Sequence, residues 1–126
     1  MKKRTTQRSI VKILARCLLA LMIILFLILQ ICGYKVLLIL SDSMEPVLST
    51  GELVPAKKVT EQSTLQVGDI CTYKAETGFI TITHRIIRIT PEGYIFKGDH
   101  NSTEDPDPVK REQILYQLII CEEAEV

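Results

Sequence analysis

Between Arg16 and Lys35 runs Cys17 to Tyr34, an apolar stretch in which Gln30 alone is strongly polar. Wound as a helix, a run of this length crosses roughly 30 Å of hydrocarbon. It is too apolar to join a small soluble core, so the remainder of the 126-residue chain must build a core of its own. The expected organisation is a basic segment over 1–16, a transmembrane helix over 17–34, a compact domain over 35–121 and an acidic tail over 122–126. A cleaved signal peptide is the rival reading, but Ile31-Cys32-Gly33-Tyr34 follows the run where a small-x-small cleavage site would stand. Ile31 before Cys32 likewise disfavours a lipoprotein. Lys2, Lys3, Arg4, Arg8, Lys12 and Arg16 precede the span, so the positive-inside rule puts the N-terminus in the cytoplasm and the domain outside.

The net charge of zero hides an asymmetry. After Gly33 the chain carries nine basic and fifteen acidic residues, and an acidic domain argues against nucleic acid as a partner. Cys17 and Cys32 lie in or beside the span, while Cys71 and Cys121 stand in apolar surroundings. No CxxC pair or metal spacing appears. Cys71 and Cys121 are expected as two buried free thiols, with one disulfide between them as the alternative. Phosphate-binding loops, metal-ligand clusters and internal repeats are missing from the sequence, so no cofactor or metal is implied. Asn101-Ser102-Thr103 fits a glycosylation sequon, a pattern too short to carry a function.

The compact domain reads as mainly β. Leu53–Ala56, Asp69–Lys74, Phe79–Thr90, Tyr94–Lys97 and Leu115–Cys121 are short runs rich in Ile, Val, Thr and aromatics. Turn formers separate them at Thr50-Gly51, Val67-Gly68, Glu76-Thr77-Gly78, Pro91-Glu92-Gly93 and Gly98-Asp99, which suggests a mainly antiparallel fold. Within Phe79–Thr90, His84 falls on the face of Ile80 and Ile82, an inward or cleft-facing position if the strand is unbroken.

Chemistry-bearing residues gather in three places: Ser41-Asp42-Ser43-Met44-Glu45-Pro46, Thr83-His84-Arg85, and Lys97-Gly98-Asp99-His100-Asn101 with Asp105 and Asp107 beyond it. Each has an ordinary explanation by itself. His84 suits a core histidine bonded to backbone groups; Ser41, Asp42 and Ser43 suit a turn cap; the aspartates suit a solvated loop. Together, and with Gly51-Glu52-Leu53-Val54 and Val67-Gly68-Asp69-Ile70-Cys71-Thr72-Tyr73-Lys74 between them, they form five blocks in one order. In that order the chain resembles the type I signal peptidases of the endoplasmic-reticulum class, which also occurs in archaea and some Gram-positive bacteria. The likeness runs from the apolar span to about Gln117. Histidine in the Thr83-His84-Arg85 block, where the common bacterial class has lysine, assigns it to that class.

The resemblance implies a small antiparallel signal-peptidase-like β domain on an N-terminal transmembrane helix. It further implies a serine endopeptidase that removes signal peptides from exported preproteins through an acyl-enzyme. Ser43 would be the nucleophile and His84 its general base. Imidazole, with an unperturbed pKa of about 6.5, accepts and returns a proton near neutral pH. Asp105 would orient the imidazole, with Asp99 as a loop organiser and Asp107 as a further candidate. The Ser43 N–H, and by similarity the Ser41 hydroxyl, would meet the oxyanion. Small residues at the first and third positions before the cut call for shallow apolar pockets, for which Met44 and Val47 are candidates. The implied partners are signal peptides of preproteins, the lipid bilayer and an accessory membrane subunit.

Three departures stand against the family pattern. Asp42 replaces a small or uncharged residue between the serines; His100 stands where asparagine is frequent; and the acidic residues after Cys121 are too polar to cross a membrane where relatives often continue into another span. A single anchor, or a shortened member that needs a partner, is the expectation. Two other functions fit some of these features. One is an inactive membrane-anchored module that binds signal peptides or exported proteins, with Ser43 and His84 kept for structure. The other is a self-cleaving repressor-type protease, which the apolar span and His84 oppose.

Overall fold

A computed structural model describes residues 2–121, so the acidic tail expected over 122–126 lies outside the described residues. Two compact units meet in the chain between Gly33 and Tyr34.

The first unit is one helix, α1 (Lys2–Ile31). Its apolar side chains from Leu18 to Leu29 are exposed on every side, and a helix apolar all round is not built for water. It is long and apolar enough to cross a membrane. It begins far before the expected 17–34 span and stops short of its end. The stop is local: Cys32 N–H donates to Ile28 C=O (2.9 Å), Gly33 N–H donates to Gln30 C=O (3.1 Å), and Gly33 sits at φ 87°. That left-handed conformation is open to glycine and disfavoured for other residues, so the helix terminates there. Apolar character alone does not register such a stop, which is why the expected span runs on to 34.

Directly after Gly33 the chain enters a strand. The second unit contains β1 (Tyr34–Leu38), β2 (Leu53–Lys58), β3 (Ile70–Lys74), β4 (Thr81–Thr90), β5 (Gly93–Lys97), a 3-10 turn (Arg111–Gln113) and β6 (Ile114–Leu118). These strands form a six-stranded sheet in the order β1-β2-β6-β3-β4-β5, with every pairing antiparallel. The mainly β fold is as expected. Five of the strands fall on the five runs of the sequence, whereas β1 starts on Tyr34, the last residue of the apolar stretch, and runs on beyond it.

Alternation on β3 divides the interior in two. Ile70 joins Ile39, Met44, Leu48, Val54, Ala56 and Leu118 in one cluster, and its neighbour Cys71, with Tyr73, joins Leu65, Ile86, Phe96, Val109 and Ile114 in another. Burying a side chain of the size of Leu48 or Phe96 contributes about 1.5–3 kcal/mol. On β4 the residues Ile82, His84 and Ile86 share one face, and a register shift between Ile86 and Arg88 ends the alternation. Cys71 is buried and Cys121 exposed, and both thiols are free. The expectation that both are buried fails at Cys121 because β6 ends at Leu118, leaving Cys121 beyond the last paired residue.

Candidate active site

Ser43 is presented by a tight turn. Glu45 N–H donates to Asp42 C=O (3.0 Å) and Leu48 N–H to Met44 C=O (3.0 Å), which closes two overlapping turns, 42–45 and 44–48, the second of them around a cis Glu45-Pro46 peptide. Met44 and Leu48 are the two ends of the second turn. Both are buried, at 1% and 2% exposure, and they fasten the turn to the first core cluster. The hydrophobic effect thereby fixes the backbone that carries the hydroxyl.

His84 comes from the middle of β4, opposite Cys71 of β3, and is buried. Asp105 comes from the loop after β5. Its N–H donates to Phe96 C=O (2.8 Å), and Phe96 is fully buried at the end of that strand. The loop is also tied to the serine turn, because His100 N–H donates to Ser43 C=O (2.9 Å). Gly98 allows this approach: a Cβ there would lie 2.6 Å from the Ser43 carbonyl oxygen. Arg85, next to His84, holds the same loop through two parallel bonds to Asp99, Nε to Oδ1 at 2.9 Å and a terminal nitrogen to Oδ2 at 2.8 Å.

Three side chains thus converge. His84 Nδ1 lies 2.9 Å from Asp105 Oδ1 and 2.7 Å from Oδ2, and its Nε2 lies 3.2 Å from Ser43 Oγ. An ionised carboxylate only accepts, so the proton between His84 and Asp105 belongs on Nδ1. Nε2 is then a free lone pair facing the serine hydroxyl, as proton abstraction requires. Ser41 Oγ is 3.1 Å from Ser43 Oγ. With the Ser43 proton directed at Nε2, the Ser41 hydroxyl is the donor in that contact. A serine hydroxyl, an imidazole, a carboxylate and a nearby hydroxyl donor in this line are a set suited to acyl transfer.

The chain is 38% identical over 89 residues to signal peptidase I W of Bacillus subtilis (strain 168), a match that covers 68% of this chain and 46% of that protein. It is 33% identical over 82 residues to the signal peptidase complex catalytic subunit SEC11 of Chaetomium globosum, covering 62% of this chain and 48% of the relative. To the catalytic subunit SEC11C of Homo sapiens it is 31% identical over 75 residues, 56% of this chain and 38% of the relative. The chain is a relative of the type I signal peptidases. It spans about half the length, or less, of the curated relatives it matches. No protein-family model matches it.

The remaining candidates from the sequence take varied places in this signal-peptidase relative. A cavity of about 580 Å³ opens beside Ser43 and His84, walled by Leu38, Leu40, Ile80 and Ile82. Met44 reaches its lining although almost wholly buried, whereas Val47 is exposed and does not line it. Asp42 is exposed to solvent, which screens its charge from the serine. His100 is exposed too and touches Ser43 through its backbone. Asp99 is engaged by Arg85, and Asp107 lines a second cavity together with Asp105. Among the described residues no cluster suited to a metal ion occurs.

Cys71, paired with His84 across the sheet, is not a reactive thiol. Cys71 is fully buried, and that burial, with the charge of Asp69 adding to it, pushes its thiol up to about 12. One site residue lies beyond what the sequence signals. The Tyr73 hydroxyl donates to Asp105 Oδ2 at 2.6 Å. The alternation in Ile70-Cys71-Thr72-Tyr73 puts Tyr73 on the face of Cys71, but that this face is also that of His84 depends on a strand register the sequence does not display.

Proposed function

We propose that this chain is a membrane-anchored serine endopeptidase that removes signal peptides from exported preproteins, with α1 crossing the bilayer, its N-terminus cytoplasmic and the sheet domain outside. The observation that carries the reading is the line from Ser43 Oγ through both nitrogens of His84 to Asp105. The relatives named for signal peptide processing support the substrate class. Only Cys32 and Gly33 separate α1 from β1, so the fold is tied to the anchor by very short covalent reach. A substrate that is itself inserted in the membrane suits such a tether.

The scissile peptide lies in the cavity with its small side chains toward Leu38, Leu40, Ile80 and Ile82. Ser43 Oγ attacks the carbonyl carbon while His84 Nε2 takes the hydroxyl proton, and Asp105 stabilises the resulting imidazolium. The Ser43 N–H and the Ser41 hydroxyl receive the oxyanion. The tetrahedral intermediate collapses as His84 returns the proton to the leaving amine, which frees the mature protein and leaves the signal peptide esterified to Ser43. Water, deprotonated by His84, then attacks the ester and regenerates the serine. Asp99 and Arg85 keep the acid-bearing loop in place. An accessory membrane subunit would assist in presenting the substrate, in keeping with relatives named as subunits of a complex.

The test is cleavage of a purified preprotein by the detergent-solubilised chain beside Ser43→Ala and His84→Ala. Cutting after a small-x-small site by the native chain, and by neither variant, is expected. Binding of the preprotein without cleavage, or cleavage that survives Ser43→Ala, overturns the reading, the former in favour of a binding module.

A further inference from the structure

Building on the peptidase reading, we infer that Tyr73 is a positioning residue whose hydroxyl locks the Asp105 carboxylate toward His84. Tyr73 pairs with Ile82 and Cys71 pairs with His84, so Tyr73 is the diagonal neighbour of His84 on one face of the β3–β4 pair. The tyrosine ring is buried and packs on Phe96 with centroids 4.7 Å apart and planes tilted by 37°. From there its hydroxyl reaches Asp105 Oδ2 at 2.6 Å, the same oxygen that lies 2.7 Å from His84 Nδ1. Two donors on different strands therefore meet on one carboxylate oxygen.

The consequence is mechanical. Asp105 stands on a loop, and the terminal torsion of an aspartate is soft, so a single bond to His84 would leave the carboxylate a hinge. A second donor, held by a buried ring, removes that freedom. Packing alone does not account for the hydroxyl, because phenylalanine would fill the same place against Phe96 and a buried hydroxyl is costly unless bonded. Burial first, then the bond to Asp105 and the charges of Asp105 and Asp107, hold the Tyr73 proton far above the ordinary phenol range, so the group remains a donor throughout the working pH. Glu76 and Asp107 share with Tyr73 and Asp105 a cavity of about 290 Å³ on this side. The phenol is the donor that claims Asp105 there.

The experiment is Tyr73→Phe in the full chain in detergent, with kcat and KM followed across pH and the His84 Nδ1 proton followed by NMR. The expected result is a fall in kcat of about 10-fold, the scale of one hydrogen bond to a charged group, with KM nearly unchanged. The acid limb of the profile moves to higher pH, because a carboxylate relieved of one donor holds the imidazolium more tightly. The Nδ1 proton resonance shifts or broadens. In an Asp105→Asn background, Tyr73→Phe adds no further loss. Unchanged kcat and resonance overturn the inference, as does an equal loss with Asp105 already replaced, or a profile merely scaled down with its limb and the resonance unmoved. If the native chain cuts nothing, the peptidase reading falls on that ground, and the resonance alone decides whether Tyr73 locks Asp105.

Discussion

The turn that carries Ser43 and the loop that carries Asp105 are held in place by different physics. Around Ser43 the anchors are apolar: Met44 and Leu48 sink into the first core cluster and draw the serine with them. Around Asp105 the anchors are directional: the Arg85–Asp99 pair, the Phe96 C=O, the Tyr73 hydroxyl and the close pass of Gly98 under the Ser43 carbonyl. Burial tolerates small shifts in angle, whereas hydrogen bonds fix orientation and leave a costly unpaired group when one partner goes. In the proposed mechanism the nucleophile needs a position and the orienting acid an angle, and each segment is held by the kind of force that supplies it.

The largest expected effect comes from the directional side. Asp105→Asn keeps the shape but loses the charge that holds Nδ1 protonated, and kcat should fall by about 10⁴-fold with the fold intact by circular dichroism. A loss below about tenfold would mean that another acid serves His84. On the apolar side, Met44→Ala should cost about 2–5 kcal/mol of unfolding free energy, because it removes an almost wholly buried side chain from the first core cluster. Denaturant melts read this directly, and a midpoint equal to that of the native chain would show that burial does not hold the turn.

Smaller still is the effect of joining the two segments badly. Gly98→Ala sets a methyl 2.6 Å from the Ser43 carbonyl oxygen and must push the turn and loop apart. About 1–3 kcal/mol of strain is expected, seen as reduced kcat at near-normal KM; kinetics identical to those of the native chain would show that the contact is slack. The least effect at neutral pH belongs to Cys71. Its folded thiol titrates at about 12 against an ordinary 9.0, so the folded state holds the proton longer than the unfolded one. That contribution to stability is complete below about pH 9 and is lost as pH rises toward 12. Cys71→Ala should flatten the alkaline fall in stability, and an unchanged slope would place its cause elsewhere.

Legibility in the sequence divides along the same line. Strands β2 to β6 stand out because Val, Ile and Thr runs are cut by Gly and Pro, and these local signals survive into the fold. β1 is masked because Val36, Leu37 and Leu38 resume the apolar character of the helix directly after Lys35, and Gly33 and Lys35 are brief marks of the change. Ser43 and His84 lie in recognisable blocks, but Asp99, Asp105 and Asp107 have equal local credentials. Which of them faces His84 is decided by the path of a loop fixed from four directions. Tyr73 is out of reach for a similar reason, since its role depends on register across two strands.

The central claim is that His84, oriented by Asp105, makes Ser43 a nucleophile, and acyl-enzyme trapping tests it most directly. The detergent-solubilised chain is mixed with a peptide ester carrying a small-x-small sequence, quenched in acid at short times and analysed by mass spectrometry of its fragments. A burst of one acyl group per chain on Ser43, absent in His84→Ala, is the predicted result. Turnover with no adduct, or an adduct on Ser41 or Cys71, would contradict it.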